Sequence, residues 1–138
     1  MAYGIKTLVG DVVYLPVANT AAVVVGDMLK WDGAGQYVTP VTAGDLPCAV
    51  ALEGCPVPTT DGDNFIACTR NPASTFEYPP DTGAVTLALR GKTMDTGGSQ
   101  SINIDASTDD CIVVDDVDIP NQTVIVRILF SLSDGGIV

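Results

Sequence analysis

An all-β fold is predicted, either a small β-barrel or a two-sheet β-sandwich, with an extended N-terminal arm and long Pro/Gly loops. Three observations predict it. Val, Ile and Thr supply 18, 9 and 14 of the 138 residues, and their branched side chains suit the pleated surface of a sheet. The acids are fifteen Asp against two Glu, and Asp favours turns because its short carboxylate bonds nearby backbone N–H groups. Fourteen Gly and nine Pro punctuate the chain at intervals that suit short strands. A chain of this length fits one domain. Residues 1–16 read as an arm or edge strand and residues 17–138 as a single β-domain.

Residues 3–17 form an extended segment. Val13, Leu15 and Val17 point one way, and Val12, Tyr14 and Pro16 the other. Pro16 has no backbone donor, which places the strand at a sheet edge. Such an arm either docks at home as a first strand or pairs with another subunit's sheet edge. Val23–Val25, the Gly26-Asp27 step and the apolar run to Trp31 precede Asp32-Gly33, a turn signal, and residues 36–42 return as a strand. Trp31 reads as a core or hairpin anchor.

Further along, Leu46, Cys48, Val50 and Leu52 alternate with Pro47, Ala49, Ala51 and Glu53, a strand with one large and one small face. Residues 64–70 and 84–90 read as strands, the latter with Val85, Leu87 and Leu89 on one face. Asn71-Pro72 and Pro79-Pro80-Asp81-Thr82-Gly83 are loops. Residues 91–100 echo residues 26–36: a Gly, an apolar residue, an Asp or Thr before Gly, then Gln. The echo fits two related hairpins or a coincidence of Gly-rich turns. Ile102 and Ile104 are expected to point inward. Residues 99–119 lack Gly and Pro, but their Asp content and the run Ile112-Val113-Val114 oppose a helix beyond a single turn near 106–110. In residues 123–131, Val124, Val126, Ile128 and Phe130 take one face and Ile125, Arg127 and Leu129 the other, a strand expected to be central and covered on both sides. The tail Asp134-Gly135-Gly136 is expected to be mobile.

The chain has no His, which removes the commonest general base and metal ligand and with them Ser-His-Asp and Cys-His catalysis. Seventeen acids face six bases, a net charge of −11, and no segment gathers the cations that phosphate binding needs. No nucleic acid is expected as a partner. Nor is a membrane, because no run approaches roughly 18 apolar residues, and the N-terminus lacks the pattern of a secretion signal. The four Cys, at 48, 55, 68 and 111, have no CxxC spacing and read as buried free thiols, or as two disulfides in an extracellular setting. The acids at 105, 109, 110, 115, 116 and 118 read as a solvated face. The EF-hand pattern is absent, and sequence spacing cannot test a glycosidase pair. Asn121-Gln122-Thr123 matches a glycosylation sequon. No catalytic, cofactor or metal residue is assigned, and the chain is not expected to be an enzyme.

The Gly26-Asp27-Met28-Leu29-Lys30-Trp31 step and the strand 46–52 after Ala43-Gly44-Asp45 resemble the small capsid decoration, or cement, proteins of tailed bacteriophages. So do the Gly91-to-Asp95 step and the final Val124-Ile125-Val126-Arg127-Ile128 strand. The resemblance spans residues 12–129. The family's mid-chain Gly-Val step stands here as Cys48-Ala49-Val50-Ala51, and the Pro-rich loops are additions. The resemblance implies a structural virion protein that binds the major capsid protein on the outside of an expanded head, as a homotrimer, after synthesis in the host cytoplasm. The N-terminal arm would add a strand to a capsid edge, with Tyr3, Ile5, Leu8, Val12 and Tyr14 as interface residues. A tail, fibre or carbohydrate-binding β-module is the alternative, and a small hydrolase using Asp pairs a third.

Overall fold

The computed structural model describes residues 3–32 and 36–131. Gly33 of the predicted turn and the Asp134-Gly135-Gly136 tail lie outside them. Eleven strands form two sheets: β1 (Gly4–Thr7), β2 (Val13–Pro16), β3 (Met28–Trp31), β4 (Val38–Pro40), β5 (Ala49–Ala51), β6 (Phe65–Thr69), β7 (Thr75–Tyr78), β8 (Thr93–Gly98), β9 (Ser101–Asn103), β10 (Ile112–Asp118) and β11 (Thr123–Ile128). The larger sheet runs β1-β7-β11-β10-β8-β9, the smaller β2-β6-β5-β3-β4, and every ladder is antiparallel. The two sheets form a sandwich, and neither closes into a barrel.

The pleat explains the core. Met28 and Val50 project from the smaller sheet into the main core, where they meet Phe76, Tyr78, Ile112, Val124 and Val126 of the larger one. Their neighbours Leu29, Ala49 and Ala51 point the opposite way into a second cluster with Val17, Val38, Ile66 and Cys68. Cys48 joins that second cluster, so the predicted large-face/small-face alternation breaks between Cys48 and Ala49. Both faces of β5 are thereby buried. Across the sandwich, the Tyr78 hydroxyl donates to Gly26 O at 2.7 Å. Phe130 packs edge-on against Phe76.

Without β1, the larger sheet repeats the smaller. The order β2-β6-β5-β3-β4 recurs five strands later as β7-β11-β10-β8-β9. The match extends to single residues. Just past β2, Val17 bridges Val38 in parallel, and just past β7, Pro80 bridges Ile102. The next N–H groups, of Ala18 and Asp81, donate to Val38 O and Ile102 O, each at 2.9 Å. Before β3, Gly26 N–H donates to Ala51 O (2.9 Å), and before β8, Gly91 N–H donates to Val114 O (2.8 Å). Cys48-Ala49-Val50-Ala51 and Cys111-Ile112-Val113-Val114 occupy the same places. The echo between residues 26–36 and 91–100 thus lies on two related hairpins, β3–β4 and β8–β9.

Three expectations are corrected. Residues 84–90 are not a strand: Leu87–Leu89 is a 3₁₀ turn with Leu87 66% exposed. Val85, in extended backbone before the turn, and Leu89, its last residue, still reach the core. The Gln122 side-chain amide bonds both Val85 N–H (2.8 Å) and Val85 O (3.3 Å), in the place a neighbouring strand would take. β11 is central, but its outer face is open, with Arg127 exposed and Leu129, just beyond it, 43% exposed. No helical turn forms at 106–110. Instead Asp95, itself buried, accepts the N–H groups of Thr108, Asp109 and Asp110 at 2.8–3.0 Å.

Candidate functional site

Backbone edges are the adhesive part of a sheet, since they carry unpaired donors and acceptors. Two of the four edges here are covered. The parallel bridge at Ile102, with Ile102 N–H donating to Pro79 O at 3.0 Å, covers β9, and Val17–Ala18 covers β4. Apart from the parallel Val17–Val38 bridge at the end of β2, the outer edges of β1 and β2 have no backbone partner among the described residues. The N-terminal segment therefore pairs with its own chain, one strand on each sheet, and supplies both open edges.

Between β1 and β2 the chain crosses from one sheet to the other over the loop that precedes β7. Val9 N–H donates to Ser74 Oγ (2.9 Å), and the Ser74 hydroxyl donates back to Val9 O (3.2 Å). The crossing leaves Leu8, Val9 and Val12 about 40% exposed. Tyr14, 65% exposed, stands opposite Ala67, and Phe65, 60% exposed, stands opposite Pro16. Tyr14 and Phe65 thus take diagonal positions on one face of the β2–β6 pair.

Of the predicted interface residues, Leu8, Val12 and Tyr14 are exposed on this segment. Ile5 stands opposite Phe76 at the sheet edge and is 36% exposed. Tyr3 packs against the main core. Phe65 escaped the sequence reading. Alternation assigns it to the face opposite Ile66, but only the β2–β6 register sets it beside Tyr14.

Charge brackets the strip. Asp11 precedes β2, and Asp61 and Asp63 lie at its far end, where Gly62 N–H donates to Val17 O at 3.1 Å. None of the three enters an ion pair among the described residues. The ion pairs found there are Lys6–Glu77, Lys30–Asp45, Arg90–Asp116 and Arg127–Asp115. Asp115 sits at the bulge in the β10–β11 ladder and takes Arg127 Nε through both oxygens, at 2.8 and 3.0 Å.

Two further acids serve turns. Hydroxyls of Ser107 and Thr93 hold Asp110 below the usual carboxylate range, and Asn121 does the same for Asp118 through its side chain and backbone. Asn121 of the sequon lies on this exposed turn. Among the described residues no group of three or more His, Cys, Asp or Glu is placed to hold a metal ion. The four thiols are free. Burial pushes Cys48, Cys68 and Cys111 up to about 12 and raises Cys55, so none is poised as a thiolate. An open groove of about 440 Å³ lies between residues 91–94 and 104–107, with Lys92 and Asp105 on its walls. No helix among the described residues is long and apolar enough to cross a membrane. Comparison with protein-family models, with curated proteins and with solved structures found no match.

Proposed function

We propose that this chain is a capsid decoration protein: a structural module that binds the major capsid protein on the outside of an expanded phage head and stabilises the shell. The observation that carries the reading is the N-terminal segment, where exposed apolar side chains run along both open sheet edges. An interface built this way gains main-chain hydrogen bonds with apolar anchors beside them. It needs no catalytic group. Many copies on one shell raise effective affinity beyond that of a single contact. The net charge of −11 keeps the protein soluble and off the packaged DNA. A homotrimer is the assembly the resemblance implies, with the virion exterior as its location.

Co-sedimentation of the purified chain with expanded empty shells from its source phage tests this. Saturable binding at a fixed ratio to capsid protein is expected, and the ratio reports the attachment symmetry. The double variant L8S/V12S changes two exposed residues, so it should fold normally and bind about tenfold more weakly, in line with the apolar area removed. A folded wild-type chain that stays in the supernatant would refute decoration and bring forward the tail, fibre or carbohydrate-binding module.

A further inference from the structure

The repeat exposes an asymmetry. In the second repeat, β1 lies antiparallel along the outer edge of β7, with Gly4 opposite Glu77 and Ile5 opposite Phe76. In the first repeat β2 takes the place of β7, and its outer edge carries no strand among the described residues. Val13 faces Cys68 in β6 as Phe76 faces Val126 in β11, so Tyr14 is the counterpart of Glu77, the residue that faces Gly4.

The hydrogen-bond phase of β2 follows from one bond. Val17 N–H donates to Asn64 O at 2.9 Å. In an antiparallel ladder such pairs alternate, so Val13, Leu15 and Val17 direct their N–H and C=O toward β6, and Tyr14 and Pro16 direct theirs outward. Pro16 has no N–H. Within β2 the outward donor is therefore Tyr14 N–H, with the Tyr14 carbonyl as outward acceptor; the Pro16 carbonyl falls at the parallel Val17–Val38 bridge, where its counterpart Pro79 O accepts Ile102 N–H. The exposed rings of Tyr14 and Phe65 stand on the adjoining face.

We infer that the outer edge of β2 is a strand-acceptor site, filled on the shell by an extended segment of the capsid protein in the way β1 fills the edge of β7. That source rests on the decoration reading. Charge favours it over a second copy of this chain. Asp11 at one end of the edge and Asp61 and Asp63 at the other have no cationic partner among the described residues. Two copies meeting there would set like charge against like. The incoming segment is one with apolar residues at alternate positions, over Tyr14 and Phe65, and Lys or Arg at its ends.

The test is Tyr14→Pro against Tyr14→Ser. Proline removes the outward N–H, leaves every bond to β6, and is compatible with an edge strand. Serine removes the ring and keeps the N–H. Y14P should bind expanded shells at least about tenfold more weakly with an unchanged thermal melt, whereas Y14S should lose only a few-fold. Hydrogen exchange on the wild-type chain supplies a readout independent of the variants: the Tyr14 amide should exchange fast in the free chain and become protected on the shell. A wild type that co-sediments while its Tyr14 amide stays unprotected, with Y14P binding equally well, overturns the acceptor site and leaves decoration standing. No co-sedimentation by the wild type overturns both. Protection of Tyr14 in a self-associated form without shells assigns the edge to a second copy and overturns the capsid source.

Discussion

Gly26 and Gly91 occupy the same place in the two repeats and both have positive φ, 92° and 80°. Their surroundings differ. A Cβ at Gly26 would lie 2.3 Å from Tyr3 O, where β1 crosses over it, and a Cβ at Gly4 would lie 2.6 Å from Gly26 Cα. A Cβ at Gly91 meets nothing within 4 Å. G91A should cost about 1 kcal/mol for its left-handed backbone. G26A should cost at least ~3 kcal/mol, because β1 has to move off its sheet as well. Urea melts of the two variants measure the difference, and equal losses would mean that the Gly4–Gly26 contact is not what holds β1. Arg70 shows the same dependence on tertiary surroundings. Its guanidinium donates to Cys48 O (2.9 Å) and Ser131 O (3.1 Å) and lies 5.5 Å from the centre of the Trp31 ring. It ties the hairpin anchor to the C-terminal end of the described chain, while Trp31 Nε1 itself is buried with no hydrogen-bond partner among the described residues.

At the scale of elements, strands with strict alternation were legible and the segment with mixed signals was not. Val124, Val126 and Ile128 alternate with polar or half-exposed neighbours, and β11 forms with those residues inward. Pro16 correctly marked an edge, since a residue without an N–H is tolerated where no strand follows. Val85, Leu87 and Leu89 fit the same period-two template, yet the backbone turns after Thr86, with the Gln122 side chain taking up the Val85 amide where a neighbouring strand would pair. The two cases separate by mutation. V85A should cost about 2 kcal/mol as a core truncation, while L87S should stay within ~0.5 kcal/mol as a surface change. A large loss from L87S would restore the strand. The interface strip was half legible for a related reason. Exposure of Tyr14 follows from alternation, but its pairing with Phe65 depends on which strand lies beside β2, and local pattern carries no information about that.

For the whole molecule, the duplication raises the question whether the halves unfold separately. In repeat architectures the answer depends on how much apolar surface neighbouring units share. Here the first repeat encloses a small cluster of its own, with Cys48, Ala49, Ala51 and Cys68 at its centre. The second repeat builds its core from Cys111, Ile112, Val114, Val124 and Val126, and that core takes in Met28, Val41 and Val50 from the first. The counterparts of Met28 and Val50 are Thr93 and Val113, one exposed and one half-buried, so the packing is not reciprocal. The second repeat cannot lose contact with the first without opening its own core. A single cooperative transition is therefore expected. Native-state hydrogen exchange reads this directly: the amides of Val50 in the first repeat and Val126 in the second should open with the same free energy. Met28→Ala should lower both by the same ~2–5 kcal/mol. If Val126 opened at lower urea while Val50 stayed protected, the first repeat would be stable alone, and the non-reciprocal packing would make it the scaffold on which the second folds.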